Sequence, residues 1–128
     1  MRKSMIAVMI TVLALGVLGA PGVASAKQGE VRRTGTCSDG STWKLKLSPD
    51  NGKIEADFEV DQNVPGDTWK VVMRHNGDVF FGGRRVTESP SGSFDVSRRV
   101  RDAKGADAFV AKATNLSTGE VCKGTGSF

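Results

Sequence analysis

Short runs of alternating apolar and polar residues, separated by turn-forming residues, constrain the folding of this chain more than any other feature. The clearest run is Lys53–Asp61, in which four apolar residues alternate with four carboxylates. Since successive side chains of a strand point to opposite faces, this run predicts a strand with one face in a core. Residues 42–48 and 69–73 alternate in the same way. No segment after residue 26 has the 3.6-residue period of an amphipathic helix.

Turn signals recur between these runs about every ten residues. Asn76 and Gly77 form the strongest hairpin signal, because both residue types tolerate the positive φ angles of a tight turn. The other predicted turns are residues 48–52, 64–67, 89–92, 102–105 and 117–119. With a first strand over residues 31–37, this spacing predicts an antiparallel β-sandwich of seven to eight short strands.

Two segments resemble strands of the immunoglobulin/fibronectin-III-like sandwich. Trp69 precedes the predicted hairpin as the core tryptophan of the third strand does, and Phe109 lies in a run that looks like the penultimate strand. Over roughly residues 34–128 the chain also resembles small exported proteins of actinobacterial type. The resemblance implies a fold class and an extracellular location, and it implies no activity. The cysteines depart from the usual immunoglobulin pattern, because they lie on the outermost predicted strands.

The first 26 residues have the pattern of a signal peptide. Arg2 and Lys3 precede an apolar stretch over residues 5–20, and Ala24 and Ala26 form an A-x-A cleavage signature. The apolar stretch is short for a membrane span, which favours cleavage over an uncleaved anchor. We therefore expect a signal-peptide helix in residues 1–26 and a single β-sandwich domain in residues 27–128. The product is expected to be secreted, with no stable membrane insertion after cleavage.

Length and charge exclude several classes of protein. Removal of 26 of the 128 residues leaves 102, which is enough for one thin core and too few for a second domain. Of the 18 Lys and Arg residues, Arg2 and Lys3 leave with the signal, so 16 remain against 14 acids and the net charge falls from +4 to +2. A charge this small argues against a nucleic-acid binder, which usually has a pronounced basic face.

Cys37 and Cys122 are the two cysteines of the chain. In the oxidising environment of an exported protein, one intramolecular disulfide is the expected state, and only one pairing is possible. A redox pair is the alternative, but that chemistry usually requires neighbouring cysteines such as C-x-x-C. The expected bridge ties the first strand to the last one.

Residues able to carry catalysis or to hold a metal are scarce. His75 is the single histidine, and its place beside the hairpin tip predicts a side chain exposed to solvent. The chain has no tyrosine and no G-x-S-x-G motif. Zinc requires three or four clustered ligands, and a copper site at Met73 and His75 would need further histidines or the N-terminus. We therefore expect no enzymatic activity, no cofactor and no metal site.

An acidic stripe occupies one face of a single predicted strand. It consists of Glu55, Asp57, Glu59 and Asp61. In a fibronectin-like order, the neighbouring strands place four basic residues beside the stripe, namely Lys44, Lys46, Arg99 and Arg101. This order predicts cross-strand ion pairs. Docking of a partner and binding of a hard cation are the alternatives, although carboxylates two residues apart on a strand are about 6.5–7 Å apart, too far for one calcium ion without ligands from another loop.

Residues 79–85 combine adjacent phenylalanines, two glycines and two arginines. Adjacent side chains of a regular strand cannot both face the core, so one ring is expected to lie outside the core or under a neighbouring loop. If the Phe81 ring is exposed, this edge forms a binding site. The predicted binding residues are Phe80, Phe81, Arg84 and Arg85. The alternative is a bulge at the glycine pair, residues 82–83, that buries both rings.

These patterns predict an exported, non-catalytic binding or interaction module. Its expected partner is another protein or an anionic envelope polymer, and not a nucleic acid. One alternative is an accessory protein of the cell envelope, held against an anionic polymer by the basic cluster Arg98, Arg99 and Arg101. Another is a small secreted protease inhibitor.

Overall fold

The computed structural model describes residues 29–128, so the predicted signal peptide lies outside the described residues. This part of the chain is all-β. Its eight strands are β1 (Val31–Thr36), β2 (Thr42–Asp50), β3 (Lys53–Asp61), β4 (Thr68–His75), β5 (Asp78–Val86), β6 (Ser93–Arg101), β7 (Ala108–Asn115) and β8 (Val121–Ser127). Within residues 29–128, no helix is long and apolar enough to cross a membrane.

The strands form two antiparallel sheets of four strands each. The first sheet has the order β1-β2-β3-β6, and the second sheet has the order β5-β4-β7-β8. The predicted β-sandwich is therefore confirmed, with eight strands. The predicted position of β3 between β2 and β6 is also confirmed, because Lys46 pairs with Asp57 on one side and Arg99 pairs with Glu55 on the other.

The core lies between the inner faces of the two sheets and follows the alternation in the sequence. Its largest fully buried side chains include Trp69, Phe58 and Phe109. Burying each large apolar side chain contributes about 1.5–3 kcal/mol, so these rings are a large part of what holds the sheets together.

A hydrogen-bonded chain of polar side chains fixes the indole of Trp69. Its Nε1 donates to Gln62 Oε1 at 3.0 Å, and Gln62 Nε2 donates to Asp67 Oδ2 at 2.6 Å. Asn115 Nδ2 donates to the same Asp67 oxygen at 3.0 Å. The hydrogen bonds from Asn115 and Gln62 hold the pKa of Asp67 below its usual range.

Two Asn-Gly turns make the hairpins that the sequence predicts. Asn51 and Asn76 have φ angles of 49° and 48°, and the following glycines are also at positive φ. Positive φ at both central residues is the geometry whose twist matches a two-residue hairpin. Pro49 differs from the prediction, since it lies within β2 opposite Ile54 rather than in the turn. The pairing of β2 with β1 ends at Leu47, so no hydrogen bond to β1 is lost at the proline.

A disulfide and a tryptophan join the two sheets on the side of the sandwich where β8 contacts β1 and β2. Cys37 and Cys122 are bonded, with their Cα atoms 4.4 Å apart, which confirms the predicted bridge. Trp43 lies over Gly35 and Gly124, where an added Cβ would come within 2.5 Å and 2.8 Å of the indole. Glycine is required at both positions because the indole occupies the space of a side chain.

Candidate functional site

The four predicted binding residues lie on β5, an edge strand of the second sheet, but they do not form one surface. A bulge in the pairing of β4 with β5 leaves Phe80 as an extra residue, because Met73 pairs with Phe81 and Arg74 pairs with Val79. The predicted position of the bulge at the glycine pair is therefore wrong. The bulge shifts the side-chain alternation by one residue, so both adjacent rings turn toward the interior and pack against the core.

The two phenylalanine rings have different neighbours. Phe80 packs edge-on against Phe109, with the ring centroids 5.9 Å apart. Phe81 lies beside two guanidinium groups, those of Arg85 at 5.0 Å and Arg98 at 4.7 Å from the ring centroid. Both rings are half-buried, and the arginines cover Phe81 through cation–π contacts. The expectation that one ring stands exposed at the edge is therefore wrong.

Arg98 belongs to this flank of the sandwich and not to an outward basic cluster. It pairs with the buried Ala56, so it occupies an inward-facing position of β6, between Val96 and Val100. A charged side chain at an inward position of an edge strand opposes pairing with another chain. The flank between β5 and β6 is thus closed by Phe81 and two arginines.

A shallow groove follows this flank toward the loop at residues 89–92. It contains Arg84 and Arg85 together with three carboxylates, those of Glu59, Glu88 and Asp95. Opposite charges are therefore mixed along the groove, and it does not present a field of one sign. This groove by itself offers no strong site for an anionic ligand.

The outer face of the first sheet mixes charges of both signs, and two of its cations form ion pairs across the strands. Lys46 Nζ lies 3.7 Å from Asp57 Oδ2, and Arg99 Nε lies 3.9 Å from Glu55 Oε2. Six cations face outward there: Arg32, Lys44, Lys46, Lys53, Arg99 and Arg101. Six carboxylates face outward beside them: Asp50, Glu55, Asp57, Glu59, Asp61 and Asp95. The predicted cross-strand ion pairs are therefore confirmed for Asp57 and Glu55, whereas Glu59 and Asp61 form no ion pair within residues 29–128. The face as a whole carries no net charge.

Asp57, at the centre of this face, makes a testable contribution to stability. Partial burial, with Asp95 and Glu55 nearby, raises the pKa of Asp57 above its usual range, against the opposing effect of Lys46. Because its folded-state pKa is raised, protonation favours the folded state, and this contribution is lost as the pH rises through that pKa. Asp57→Asn is therefore expected to raise the thermal midpoint slightly at pH 7 and to leave it unchanged near pH 3.

Thermal melting at the two pH values checks this prediction, with Asp39→Asn at an exposed turn as the control. The ion pair with Lys46 is partly exposed, and such pairs contribute about 0–1 kcal/mol. A lower midpoint for Asp57→Asn at pH 7 would mean that this ion pair outweighs the cost of burying the charge.

The outer face of the second sheet has a different composition, and we call it the basic face. Five exposed cations point outward from its four strands: Lys70, Arg74, Arg84, Lys112 and Lys123. The four strands contain one carboxylate, Asp78, which lies at the turn end of β5 opposite His75. Within residues 29–128, none of the five cations forms an ion pair. The outward charges of the basic face are therefore of one sign, although Arg84, at its edge, also borders the mixed-charge groove.

Like charges lie directly opposite each other on the basic face. Arg84 pairs with Lys70 across β5 and β4, and Lys112 pairs with Lys123 across β7 and β8. Directly opposed like charges destabilise a sheet by a few tenths of a kcal/mol, an unfavourable arrangement that a bound anion would relieve. Of these residues, the sequence prediction included only Arg84, because the others are separate in sequence and only the strand register brings them together.

His75 is not the solvated tip residue that the sequence predicted. Its side chain is 17% exposed, and its Nε2 lies 2.6 Å from Oδ1 of the fully buried Asp107. The residue has the inward orientation of its strand and pairs with Phe109, so its ring packs against that phenyl group at 4.9 Å. The same Asp107 oxygen accepts a hydrogen bond from the Ala103 backbone, which ties the hairpin to the loop before β7.

Comparisons of the chain with protein-family models, curated proteins and solved structures found no match. Within residues 29–128, no group of three His, Cys, Asp or Glu side chains is placed to hold a metal ion. The resemblance to exported actinobacterial proteins remains a prediction from the sequence. The charge distribution over the two outer faces is therefore the main observation that bears on function.

Proposed function

We propose that this protein is an exported, non-catalytic module that binds an anionic polymer of the cell envelope through its basic face. The observation that carries the proposal is the contrast between the two outer faces. The first sheet presents six cations with six carboxylates, whereas the second presents five cations with no outward carboxylate. A polyanion would gain less on the first face, because carboxylates of the same and neighbouring strands lie among the cations there and would repel it.

The small overall charge is compatible with this function, because the charge is unevenly distributed. Fields of one sign on one face raise the local concentration of an oppositely charged ligand, even where the whole molecule is nearly neutral. The five cations are exposed, and each exposed ion pair contributes little alone. Binding therefore requires several simultaneous contacts, which a polymer provides and a single small anion does not.

The disulfide supports the exported location. Cysteines are oxidised to stable bridges mainly outside the reducing cytosol, and Cys37 and Cys122 form such a bridge. The predicted signal peptide at residues 1–26 points to the same compartment. In that compartment, the protein would meet the anionic polymers that the basic face suits.

Two matched variants test the proposal. The face variant has glutamine in place of four cations of the basic face: Lys70, Arg84, Lys112 and Lys123. The control variant has glutamine in place of four cations of the first sheet: Lys44, Lys46, Lys53 and Arg101. Each variant removes four positive charges from one outer face. The full chain, produced with its own leader, is passed over immobilised linear polyphosphate in low salt.

We expect the wild type and the control variant to bind and the face variant to pass through. For four contacts, the affinity should fall about 10²-fold between about 50 mM and 200 mM salt, by the relation known for duplex DNA. Equal loss of retention in both variants would show that overall charge, and not the basic face, governs binding. No retention of the wild type would contradict the proposed function.

A further inference from the structure

We propose further that the ligand is a single extended chain with one anionic group in each repeat, lying across the strands of the second sheet. This inference rests on the proposed function and specifies where the polymer lies. It would follow four of the five cations, which we call the cation band: Arg84, Lys70, Lys112 and Lys123. One member of the band comes from each strand of the sheet.

The strand register gives the spacing of the band. Arg84 is directly opposite Lys70, and Lys112 is directly opposite Lys123, so each pair is separated by one interstrand step of about 4.8 Å. Lys70 pairs with Thr114, two residues from Lys112, which makes the middle step a diagonal of about 7–8 Å. The band therefore offers one positive charge about every 5–8 Å across the whole width of the sheet.

A linear polyanion fits this geometry, because its charges also repeat along a line. Three of the four cations are lysines. Their ammonium groups act as point charges on flexible side chains and can bind either phosphate or carboxylate. Gly82, which faces outward beside the band, leaves open space where a side chain would otherwise stand. An extended chain can thus lie across all four strands without a change in the fold.

The composition of the basic face disfavours two other polyanionic partners. Its outward residues include no aromatic ring, whereas proteins that bind single-stranded nucleic acids stack bases on such rings. Surfaces that rest in a membrane interface usually carry Trp, Phe or Leu beside their basic residues. The outward apolar residues here are valines and an alanine: Val72, Val79, Val86, Ala108, Val110 and Val121.

Arg74 provides an internal control on the same face. It points outward from β4 and lies on the other diagonal from Lys112, but it differs from Lys70 in that its direct partners, Val79 and Val110, are uncharged. Its Nη1 also donates to the Gly77 carbonyl at 3.2 Å, which holds the side chain toward the hairpin. If binding depends only on the overall positive field of the face, Arg74 should contribute as much affinity as any residue of the band. If the polymer lies along the band, Arg74 should contribute much less.

The test measures binding of linear polyphosphate to the full-chain protein as a function of salt concentration. Lys70→Gln and Lys112→Gln are compared with Arg74→Gln, since each removes one positive charge from the basic face. Each band substitution is expected to reduce the slope of log affinity against log salt by about 1, and Arg74→Gln should leave the slope unchanged. Charge reversal should weaken binding about tenfold for Lys70→Glu and about twofold or less for Arg74→Glu.

Further probes distinguish the ligand chemistries. Polyglutamate replaces phosphate by carboxylate, and preferential binding of either polymer identifies the anionic group. Oligophosphates of increasing length should gain affinity steeply until the chain spans the band, about 17 Å, and only slowly thereafter. Thermal melting of every variant confirms that it is folded before binding is measured.

The outcomes separate failure of this inference from failure of the proposed function. An equal effect of Arg74→Gln and Lys70→Gln would overturn the cation band while leaving the basic face as the binding surface. Tighter binding to vesicles that contain anionic lipid than to either polymer would identify a membrane as the partner and would overturn the linear ligand. Absence of binding to every probe would overturn both proposals.

Discussion

Replacing Cys37 and Cys122 with serine is expected to lower the free energy of unfolding by about 4–5 kcal/mol. The bridge joins residues 85 positions apart. Without it the unfolded chain regains the conformational entropy that a closed loop of this length removes, which lowers the free energy of unfolding by about 4–5 kcal/mol. Native proteins have a total stability of about 5–15 kcal/mol, so the double variant should lose between about a third and nearly all of its stability. The bridge also ties the end of β1 in the first sheet to β8 in the second sheet.

Urea unfolding of the oxidised wild type, the reduced wild type and the double-serine variant checks this prediction. The reduced wild type should unfold at nearly the same urea concentration as the double variant, since both lack the same restraint. A loss of less than about 1 kcal/mol in both would show that packing around Trp43 and Gly124 holds this side of the sandwich without the bridge.

Glu120→Ala is expected to lower the free energy of unfolding by about 2–4 kcal/mol. Glu120 is 4% exposed, and its carboxylate accepts three hydrogen bonds from the loop between β1 and β2. Its donors are the backbone N–H groups of Asp39 and Ser41, at 2.8 Å and 3.0 Å, and the Ser41 hydroxyl at 2.6 Å. Alanine would leave these donors without their acceptor, and buried donors without a partner are costly.

Two further variants sharpen the test of Glu120. Glu120→Gln keeps one acceptor oxygen but places an amide N–H donor where the second oxygen accepted hydrogen bonds. Its loss of unfolding free energy should therefore be smaller than that of Glu120→Ala but still measurable. Glu88→Ala removes an exposed carboxylate and should change stability by less than about 0.5 kcal/mol. Equal stability of Glu120→Ala and Glu88→Ala in urea would contradict the structural role assigned to the buried carboxylate.

Much of the fold follows from local patterns in the sequence. Alternation in Lys53–Asp61 predicts both the strand and its buried face, and the Asn76 and Gly77 pair predicts the hairpin. The position of β3 between β2 and β6 followed from the resemblance to the fibronectin-like order, and the opposite charges on the three strands agree with it. The disulfide followed from having two cysteines and a predicted oxidising compartment.

The features that the sequence did not predict depend on register between strands distant in sequence. A single extra residue at Phe80 reverses which side chains of β5 face inward, and no local signal marks that residue as the bulge. His75 is largely covered because it contacts Phe109 and Asp107, which are more than thirty residues away in the sequence. The basic face escaped detection for the same reason, since each of its strands carries only one or two outward cations.

Lysines and arginines therefore have different roles according to the face they occupy. On the first sheet, cations such as Lys46 and Arg99 contact carboxylates of neighbouring strands. On the flank, Arg85 and Arg98 cover Phe81. The cations of the basic face have no such partner within residues 29–128, which is why we assign ligand binding to them.

Mapping the ligand onto the protein is the most direct test of this account. Backbone amide shifts of the isotope-labelled full chain are followed by NMR while linear polyphosphate is added at low salt. The largest shifts are predicted at Lys70, Arg84, Lys112 and Lys123, with little change along β3 in the first sheet. Shifts centred on the groove at Arg85 and residues 89–93, or on the outer face of the first sheet, would contradict the assignment of the basic face as the binding surface.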